Sequence, residues 1–339
     1  MKPDKIAERD AHNGFLAFLS SEYQHQYTNG HIGVADNYRS TGNSFARFLA
    51  LRKKRDISCK KLSPLLMTDY EAWLQASGLC KNTTSFYIRT LQSVYYKAVR
   101  QGLTEDRKPF VGVYRGVAKT IKRAIASTDV CKLTYLDIAT ELATRGYTGK
   151  RLRNLQRQLE FARDIFVFCF CARGLTFADL AYMRKTSVMG STMVYVRRKT
   201  KQRIEVQIEP MMQKVLDNHP SQSVYLLPIL TKIGDEKAVY RQYRYALTRY
   251  NGHLKTLGMM LGGLKLTSYV SRHSWASAAR QHHVPLSVIS QSMGHDSEKT
   301  TEIYLKSLEC NVINQTNREL LANVFNKDIV DIKTSISLM

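Results

Sequence analysis

Tyr304 lies nine residues after His295 in the run Gly294-His-Asp-Ser-Glu-Lys-Thr-Thr-Glu-Ile-Tyr304, with Arg272 before it and Arg173 far upstream. A phenol can attack a phosphodiester covalently if cations take up the charge that accumulates on the phosphorus oxygens. A proton donor must also serve the departing sugar oxygen. Two arginines, a histidine and a lysine supply both needs, so these residue types are the parts of a covalent DNA-cleaving centre. Lys199 is the first lysine to consider and Lys201, two residues on, is the reserve.

Those side chains need elements to bring them together. A long helix is expected from about Asn154 to Ala172, with Leu155, Leu159, Ala162, Ile165, Phe166 and Cys169 on its buried side and Gly174 ending it. Arg173 then falls at the helix end, where pairing with the helix dipole is the alternative to a role in chemistry. Thr176-x-x-Asp179 reads as a capping box for the next helix, fixing a tight turn that points Arg173 inward. Residues 193 to 208 alternate as a β-hairpin whose turn, Lys199-Thr-Lys-Gln202, either reaches a DNA groove or is plain solvent-exposed loop. Near the C-terminus, Thr267 or Ser268 caps a helix through Ala279, Pro285 opens another, and Gly294 closes that one just before His295.

The first third reads as helices. Phe15 to Leu19 with Tyr23 make a short element. Asp36 to Leu51 carries Tyr38, Phe45, Phe48 and Leu49, and Asn82 is the expected N-cap of a stretch closed by Gly102. The expected fold class is mainly α with a small β-sheet (α+β). The expected order is a helical DNA-binding domain over 1–113, a basic linker over 114–126, a mixed catalytic domain over 127–325 and a tail over 326–339. The linker segment is either a connection that tracks a phosphate backbone or a short surface strand.

Lys+Arg number 51 against 28 Asp+Glu, a net charge of +23, which points to a polyanionic partner and favours nucleic acid over a membrane surface. The basic residues recur in short groups along the chain, which suits a protein that encircles its ligand. Lys81 and Arg89 in the first domain, with Lys119, Lys122 and Arg123 in the linker, are the expected DNA contacts. Six cysteines show no metal-ligand spacing, Cys169 and Cys171 lie in an apolar run that reads as packing, and no signal peptide is evident. A reducing cytoplasmic compartment, at the bacterial nucleoid, is the expected location. No apolar stretch approaches the roughly 18 uncharged residues of a membrane span.

In this order and spacing, Arg173, Lys199, Arg272, His295 and Tyr304 resemble the catalytic set of the tyrosine recombinase (phage integrase) family, of the kind carried by bacterial mobile elements. The stretches that carry the resemblance are Ala172-Arg-Gly-Leu-Thr-Phe-Ala-Asp-Leu180, Arg198-Lys-Thr-Lys201, Leu266-Thr-Ser-Tyr-Val-Ser-Arg-His-Ser-Trp-Ala276, Met293-Gly-His-Asp-Ser and Ile303-Tyr304. It extends over about residues 10 to 325. One departure stands out: the family's usual histidine three residues before the second arginine is Tyr269 here. A phenol with an ordinary pKa of about 10 is a poor proton acceptor at neutral pH. His295 then carries more of the proton handling, or the field of the arginines deprotonates Tyr304, or the neighbouring His273 substitutes. The alternative for His273 is packing beside Trp275, and His282-His283 reads as a helix terminus.

The resemblance implies attack by Tyr304 to give a 3′-phosphotyrosyl link and a free 5′-hydroxyl. Arg173 and Arg272 would hold the phosphate, Lys199 would protonate the leaving oxygen, and His295 would assist, with Tyr269, Asp179, Lys201 and His273 in support. It implies no metal, nucleotide or other cofactor. The implied partners are double-stranded DNA bearing recombination sites, further copies of the chain in a tetramer, and accessory DNA-bending proteins. An apolar stripe of Leu320, Leu321, Val324 and Phe325 within 316–325 docks either on a neighbouring subunit or on its own domain. The implied outcomes are integration, excision or inversion of DNA. A type IB topoisomerase shares similar chemistry but would relax plasmids lacking a specific site. A degenerate DNA-binding regulator would not need the nucleophile and both arginines to be retained.

Overall fold

The computed structural model describes residues 14–118, 123–294 and Thr301. Lys119, Lys122, His295, Tyr304, the stripe over 316–325 and the tail over 326–339 lie outside the described residues. The chain divides into two compact units, Met1–Thr120 and Ile121–Met339.

The first unit is helical: α1 (Phe15–Thr28), α2 (Ile32–Leu51), α3 (Pro64–Ala76) and α4 (Lys81–Arg100). Their apolar faces close over an aromatic core of Phe15, Phe45, Phe48, Tyr70 and Tyr95. Phe45 meets Tyr70 edge-on at 5.1 Å, a geometry that aligns the positive ring edge with a negative face. The buried Tyr70 hydroxyl donates to Ser44 Oγ at 2.8 Å, so its polar end is satisfied inside the core. Glu22 of α1 pairs with Lys97 of α4 at 2.5 Å.

Asn82 does not cap α4. Cys80 holds the N-cap position, and the Asn82 amide instead clasps the backbone of Ala118, accepting from its N at 2.7 Å and donating to its O at 2.9 Å. Ser85 Oγ donates to Gly116 O at 2.7 Å, so the start of the basic segment runs along α4 without forming a strand. A side chain able to satisfy both groups of a passing peptide does more there than at a cap, where only one N–H is served.

The second unit is built on α7 (Gly149–Cys171), which begins five residues before the expected start because Lys150, Arg151 and Arg153 extend it as a solvated basic turn. Leu159, Ala162, Ile165, Phe166 and Cys169 are buried, as the periodicity requires. Packed against α7 are α5 (Ser127–Thr134), α6 (Ile138–Thr144), α9 (Pro210–Asn218), α10 (Glu236–Met260) and α11 (Val270–Gln281). The short α8 (Phe177–Ala181) follows α7, and α12 (Leu286–Met293) pairs with α11. A three-stranded antiparallel sheet carries β1 (Val188–Met189), β2 (Thr192–Val196) and β3 (Arg203–Gln207) in sequence order. Val194 pairs with Glu205, and Ile204 and Val206 face inward while Arg203, Glu205 and Gln207 face solvent, the alternation expected of this hairpin.

Several elements depart from expectation: α3, α5, α6 and α9 have no counterpart in the sequence reading. The 25-residue α10 has none either, because only Val239, Tyr250, Leu254, Leu257 and Gly258 are buried along it. Tyrosines and arginines over the rest of its surface blur the period. Neither Thr267 nor Ser268 caps α11. Ser268 N donates to Asn251 Oδ1 of α10 at 2.8 Å, and the helix starts at Val270 with Tyr269 at the N-cap position and no side-chain cap. No described helix is long and apolar enough to cross a membrane.

Asp164 of α7 is a buried carboxylate that accepts from His219, the residue closing α9, at 2.7 Å and from Arg163 at 2.9 Å. Burial pushes this carboxyl up, but the hydrogen bonds from His219 and Arg163 outweigh it and hold it below the usual range. A carboxyl lowered in the folded state contributes stability above its unfolded pKa and loses it as pH falls through the folded value. Asp164→Asn is therefore expected to cost about 1–3 kcal/mol at neutral pH. In thermal melts across pH, the gap to wild type persists down to about pH 4 and closes below it.

Candidate active site

The C-terminal end of α7 sets the first part of the site. After the C-cap residue Ala172, Arg173 and Gly174 both take left-handed backbone (φ 57 and 73), which reverses the chain in two residues. Glycine adopts this conformation freely, whereas Arg173 is strained there. Gly174 is also required by space, because a Cβ would lie 3.0 Å from both Cα and Cγ of Arg272. Arg173 is half-buried and its Nη1 reaches the Glu205 carbonyl of β3 at 3.4 Å.

Arg272 belongs to the first turn of α11 and is 3% exposed. Its Nη1 donates to Gly174 O at 2.7 Å and its Nη2 to Met293 O at 2.6 Å. One guanidinium therefore joins the loop carrying Arg173, the start of α11 and the last residue of α12. The next residue, Gly294, is left-handed (φ 62) as expected of the residue that ends this helix.

The hairpin forms the second part. Its tip holds Lys199 and Lys201, both exposed, the latter with φ 60. Behind the tip Arg197 is 4% exposed and donates through Nη1 to Gly294 O, which also accepts from Thr200 Oγ1 at 3.1 Å. A Cβ on Gly294 would lie 2.6 Å from Ile204 Cδ1 and 3.1 Å from Arg197 Cδ, so the chain entering His295 is pressed against the hairpin.

Asp179 links the two parts. Thr176 Oγ1 accepts from Asp179 N at 3.2 Å, the first half of the expected capping box. The reciprocal bond to the Thr176 backbone is replaced: the carboxylate accepts from Thr176 Oγ1 at 2.7 Å and from the backbone N of Arg198 at 2.9 Å. Arg197 Nε lies 3.9 Å from its Oδ2, within ion-pairing range. A cleft of about 310 Å³ opens here, lined by Asp179, Arg197, Lys199, Tyr243, Ser268 and Tyr269 among others. A larger cleft of about 540 Å³ between α7 and α10 includes none of the expected site residues.

Electrostatics around the arginines separate the tyrosines. Burial pushes the Tyr195 phenol up, Asp179 adds to this, and Arg272 and Arg197 pull only partly against it, so Tyr195 stays neutral. Tyr269 is 49% exposed at the head of α11, its ring 5.8 Å from that of His273. The structure thus brings Arg173, Arg272, Asp179, Lys199 and Tyr269 to one region of the second unit. Arg123, exposed, leads into Ile125, whose N donates to Ser274 Oγ of α11 at 3.0 Å. Lys81 and Arg89 are exposed on α4 of the first unit, Lys81 Nζ lying 4.3 Å over the Tyr114 ring. His282 and His283 close α11, the latter with φ 57.

Residues 14–113 match the phage integrase SAM-like domain and residues 153–310 match the phage integrase family. The chain belongs to that family, the tyrosine recombinases. This recombinase is accordingly a site-specific enzyme that breaks and rejoins DNA strands. No curated protein shows significant sequence similarity to it. Among solved structures it is similar to a lambda integrase dimer bound to a COC' core site (13% identity, TM-score 0.54, covering 90% of this chain and 81% of that one). It is also similar to a lambda integrase tetramer bound to a Holliday junction (13%, 0.54, 89% and 80%). A third is the Tn1549 transposon integrase in complex with circular intermediate DNA (12%, 0.58, 89% and 99%). At such identities the likeness establishes the fold alone.

Sequence reasoning about this recombinase missed Arg197 as more than one member of a basic group. The signal was present: continuing the β2 alternation inward from Met193 and Tyr195 lands on Arg197, and a cation on the inward face of a strand requires buried acceptors.

Gly174 offers a test of the packing. Gly102 has the same left-handed backbone (φ 74) with nothing within 4 Å of an added Cβ. Gly102→Ala is expected to cost about 1 kcal/mol from backbone strain alone. Gly174→Ala should cost more, because Arg272 must shift as well, and urea unfolding of the two variants measures the difference.

Proposed function

We propose that this recombinase cleaves DNA by attack of Tyr304 on the scissile phosphorus. The Tyr304 oxygen forms the new bond to phosphorus, the bond to the 5′-oxygen breaks, and a 3′-phosphotyrosyl intermediate results. Arg173 and Arg272 bind the non-bridging oxygens, a task for which planar guanidinium suits better than ammonium. Lys199, with Lys201 in reserve, gives a proton to the leaving 5′-oxygen. His295 hydrogen-bonds the phosphate and takes part in removing the phenol proton, with Tyr269 or His273 nearby in place of the usual histidine. Attack by a second strand's 5′-hydroxyl reverses the steps, so the energy of the phosphodiester is conserved.

The observation that supports this reading is the Arg272 guanidinium, fixed between Gly174 O and Met293 O. It fastens the loop of Arg173 and the approach to His295 to the head of one helix. Integration, excision or inversion of a mobile element is the biological outcome proposed, with the protein acting at the bacterial nucleoid as a tetramer on its sites, aided by accessory DNA-bending proteins. The likeness to a lambda integrase tetramer on a Holliday junction favours that assembly. The 1–113, 114–126 and 127–325 divisions are kept as DNA-binding domain, linker and catalytic domain.

A suicide substrate that traps the covalent adduct tests the nucleophile. Tyr304→Phe should bind DNA normally and yield no adduct, and an adduct formed by that variant would remove Tyr304 from the role. Arg173→Ala, and Arg272→Lys for the buried arginine, should lose adduct while retaining binding and a cooperative thermal melt; equal loss of adduct and binding by a folded variant would assign the arginines to docking.

Lys81, Arg89, Lys119, Lys122 and Arg123 are proposed to neutralise backbone phosphates. The affinity should then fall steeply with salt, log K dropping by about 0.9 per phosphate contacted for each tenfold rise in salt concentration. Removing one of these cations should reduce that slope by about one contact while weakening all sequences alike. Titration at several ionic strengths provides the measurement.

A further inference from the structure

Arg197 is among the best buried cations of the described chain, and the catalytic reading above gives it no task. Its Nη1 donates to the carbonyl of Gly294, the residue immediately before His295. Its own backbone N and O close the hairpin tip, donating to Gln202 O at 2.8 Å and accepting from Lys201 N at 2.9 Å. The tip between these two bonds consists of Arg198, Lys199, Thr200 and Lys201. The same residue thus ties down the base of the lysine turn and the chain that leads into the histidine.

Around this residue the charges are few and specific. Asp179 Oδ2 lies 3.9 Å from Arg197 Nε, beyond hydrogen-bond distance, and Nε has no hydrogen-bond partner among the described residues. The Asp179 carboxylate is occupied by Thr176 Oγ1 and Arg198 N. A buried guanidinium with one nitrogen unsatisfied is costly, and a neutral side chain of similar length would avoid that cost. The cation is retained at this cost where its directed donor holds the carbonyl of Gly294 against the hairpin.

We propose that Arg197 is a positioning residue for strand cleavage: by holding Gly294 O against the hairpin base it fixes the lysine turn against the C-terminal end of α12, so that Lys199 is presented to the scissile ester. This rests on the reading of Lys199 as the general acid. Arg197 touches no reacting atom. It acts through the placement of Lys199, by anchoring the base of its turn to Gly294. Thr200, whose Oγ1 donates to the same carbonyl at 3.1 Å, reinforces the link from within the tip.

The test compares two suicide substrates, one with the natural 5′-oxygen at the scissile bond and one with sulfur in its place. A thiolate leaves without being protonated, so sulfur removes the need for a general acid. With the natural substrate Lys199→Ala should slow adduct formation by about 10²- to 10⁴-fold, and sulfur should restore most of that rate. Arg197→Met should slow the natural substrate by about 10- to 100-fold, as expected when a reacting group is displaced by up to about 1 Å, with DNA affinity unchanged and substantial rescue by sulfur. The double variant should be no slower than Lys199→Ala alone.

Arg197→Lys keeps the stem and the charge but loses the planar fork, and should show a smaller loss with the same rescue; it decides the matter if Arg197→Met does not fold. A rate per folded molecule equal to wild type, or a loss that sulfur does not relieve while Lys199→Ala is relieved, would overturn the role of Arg197. Failure of sulfur to rescue Lys199→Ala would instead remove Lys199 as the acid, and the two failures are distinct.

Discussion

The second unit depends on what becomes of a guanidinium that has been taken out of water. Arg272 is buried, and leaving its charge without acceptors would cost several kcal/mol. Its acceptors include two backbone carbonyls, Gly174 O and Met293 O, from segments far apart in the chain. Met293 is the last residue of α12, so its carbonyl is one of the groups that a helix leaves without an internal partner, at the end where the dipole is negative. Arg272 is in effect the cap of α12. The same contact that satisfies the cation closes the helix and places the chain that follows.

Arg197 repeats this logic one residue later. Gly294 O, the next carbonyl after the helix, takes a bond from Arg197 and another from Thr200. Two cations from different elements thus converge on consecutive carbonyls at one helix terminus. A compact, strongly hydrated ammonium would be costlier to bury than the weakly hydrated planar guanidinium, which also directs its donors in fixed directions. That geometry ties α11, α12, the loop after α7 and the β2–β3 hairpin together, where apolar packing alone would leave their ends free to slide. Close packing at Gly174 and Gly294, where added Cβ atoms would meet Arg272, Arg197 and Ile204, leaves little room for alternative placements.

Legibility in the sequence followed the range of the interactions. The α7 period, the left-handed Gly174 and Gly294, the inward alternation of Ile204 and Val206, and the onset of helical capping at Thr176 all rest on neighbours within a few residues, and each is found in the structure. What escaped depends on partners distant in sequence. Asn82 is drawn away from the α4 cap by the peptide at Ala118, the segment before α11 is held by Asn251 through the Ser268 N–H, and the Asp179 carboxylate is drawn out of its box by Arg198 N. In each case a polar side chain or N–H that a local rule assigns to a helix end found a second backbone or amide group instead. The α10 helix escaped for another reason: its buried stripe is narrow and its tyrosines are amphipathic, so the period is weak. Motif spacing picked out Arg173, Arg272 and Lys199 as candidates, but it held no information on the carbonyls that orient Arg272.

The strain at Arg173 follows from the same network. A non-glycine residue in the left-handed region costs on the order of 1 kcal/mol, and it persists only when its surroundings over-determine it. On its N-terminal side α7 ends at Cys171, anchored in the core by Phe166, Phe168 and Cys169. On its C-terminal side Gly174 is pinned to Arg272, and Thr176 begins the next helix two residues later. Between these fixed points the chain has too few residues to relax Arg173 into ordinary backbone without pulling Gly174 O off the guanidinium. The cost of that bond exceeds the strain, so the strained conformation is retained, and the Arg173 side chain is directed toward β3 by the same interaction that buries Arg272.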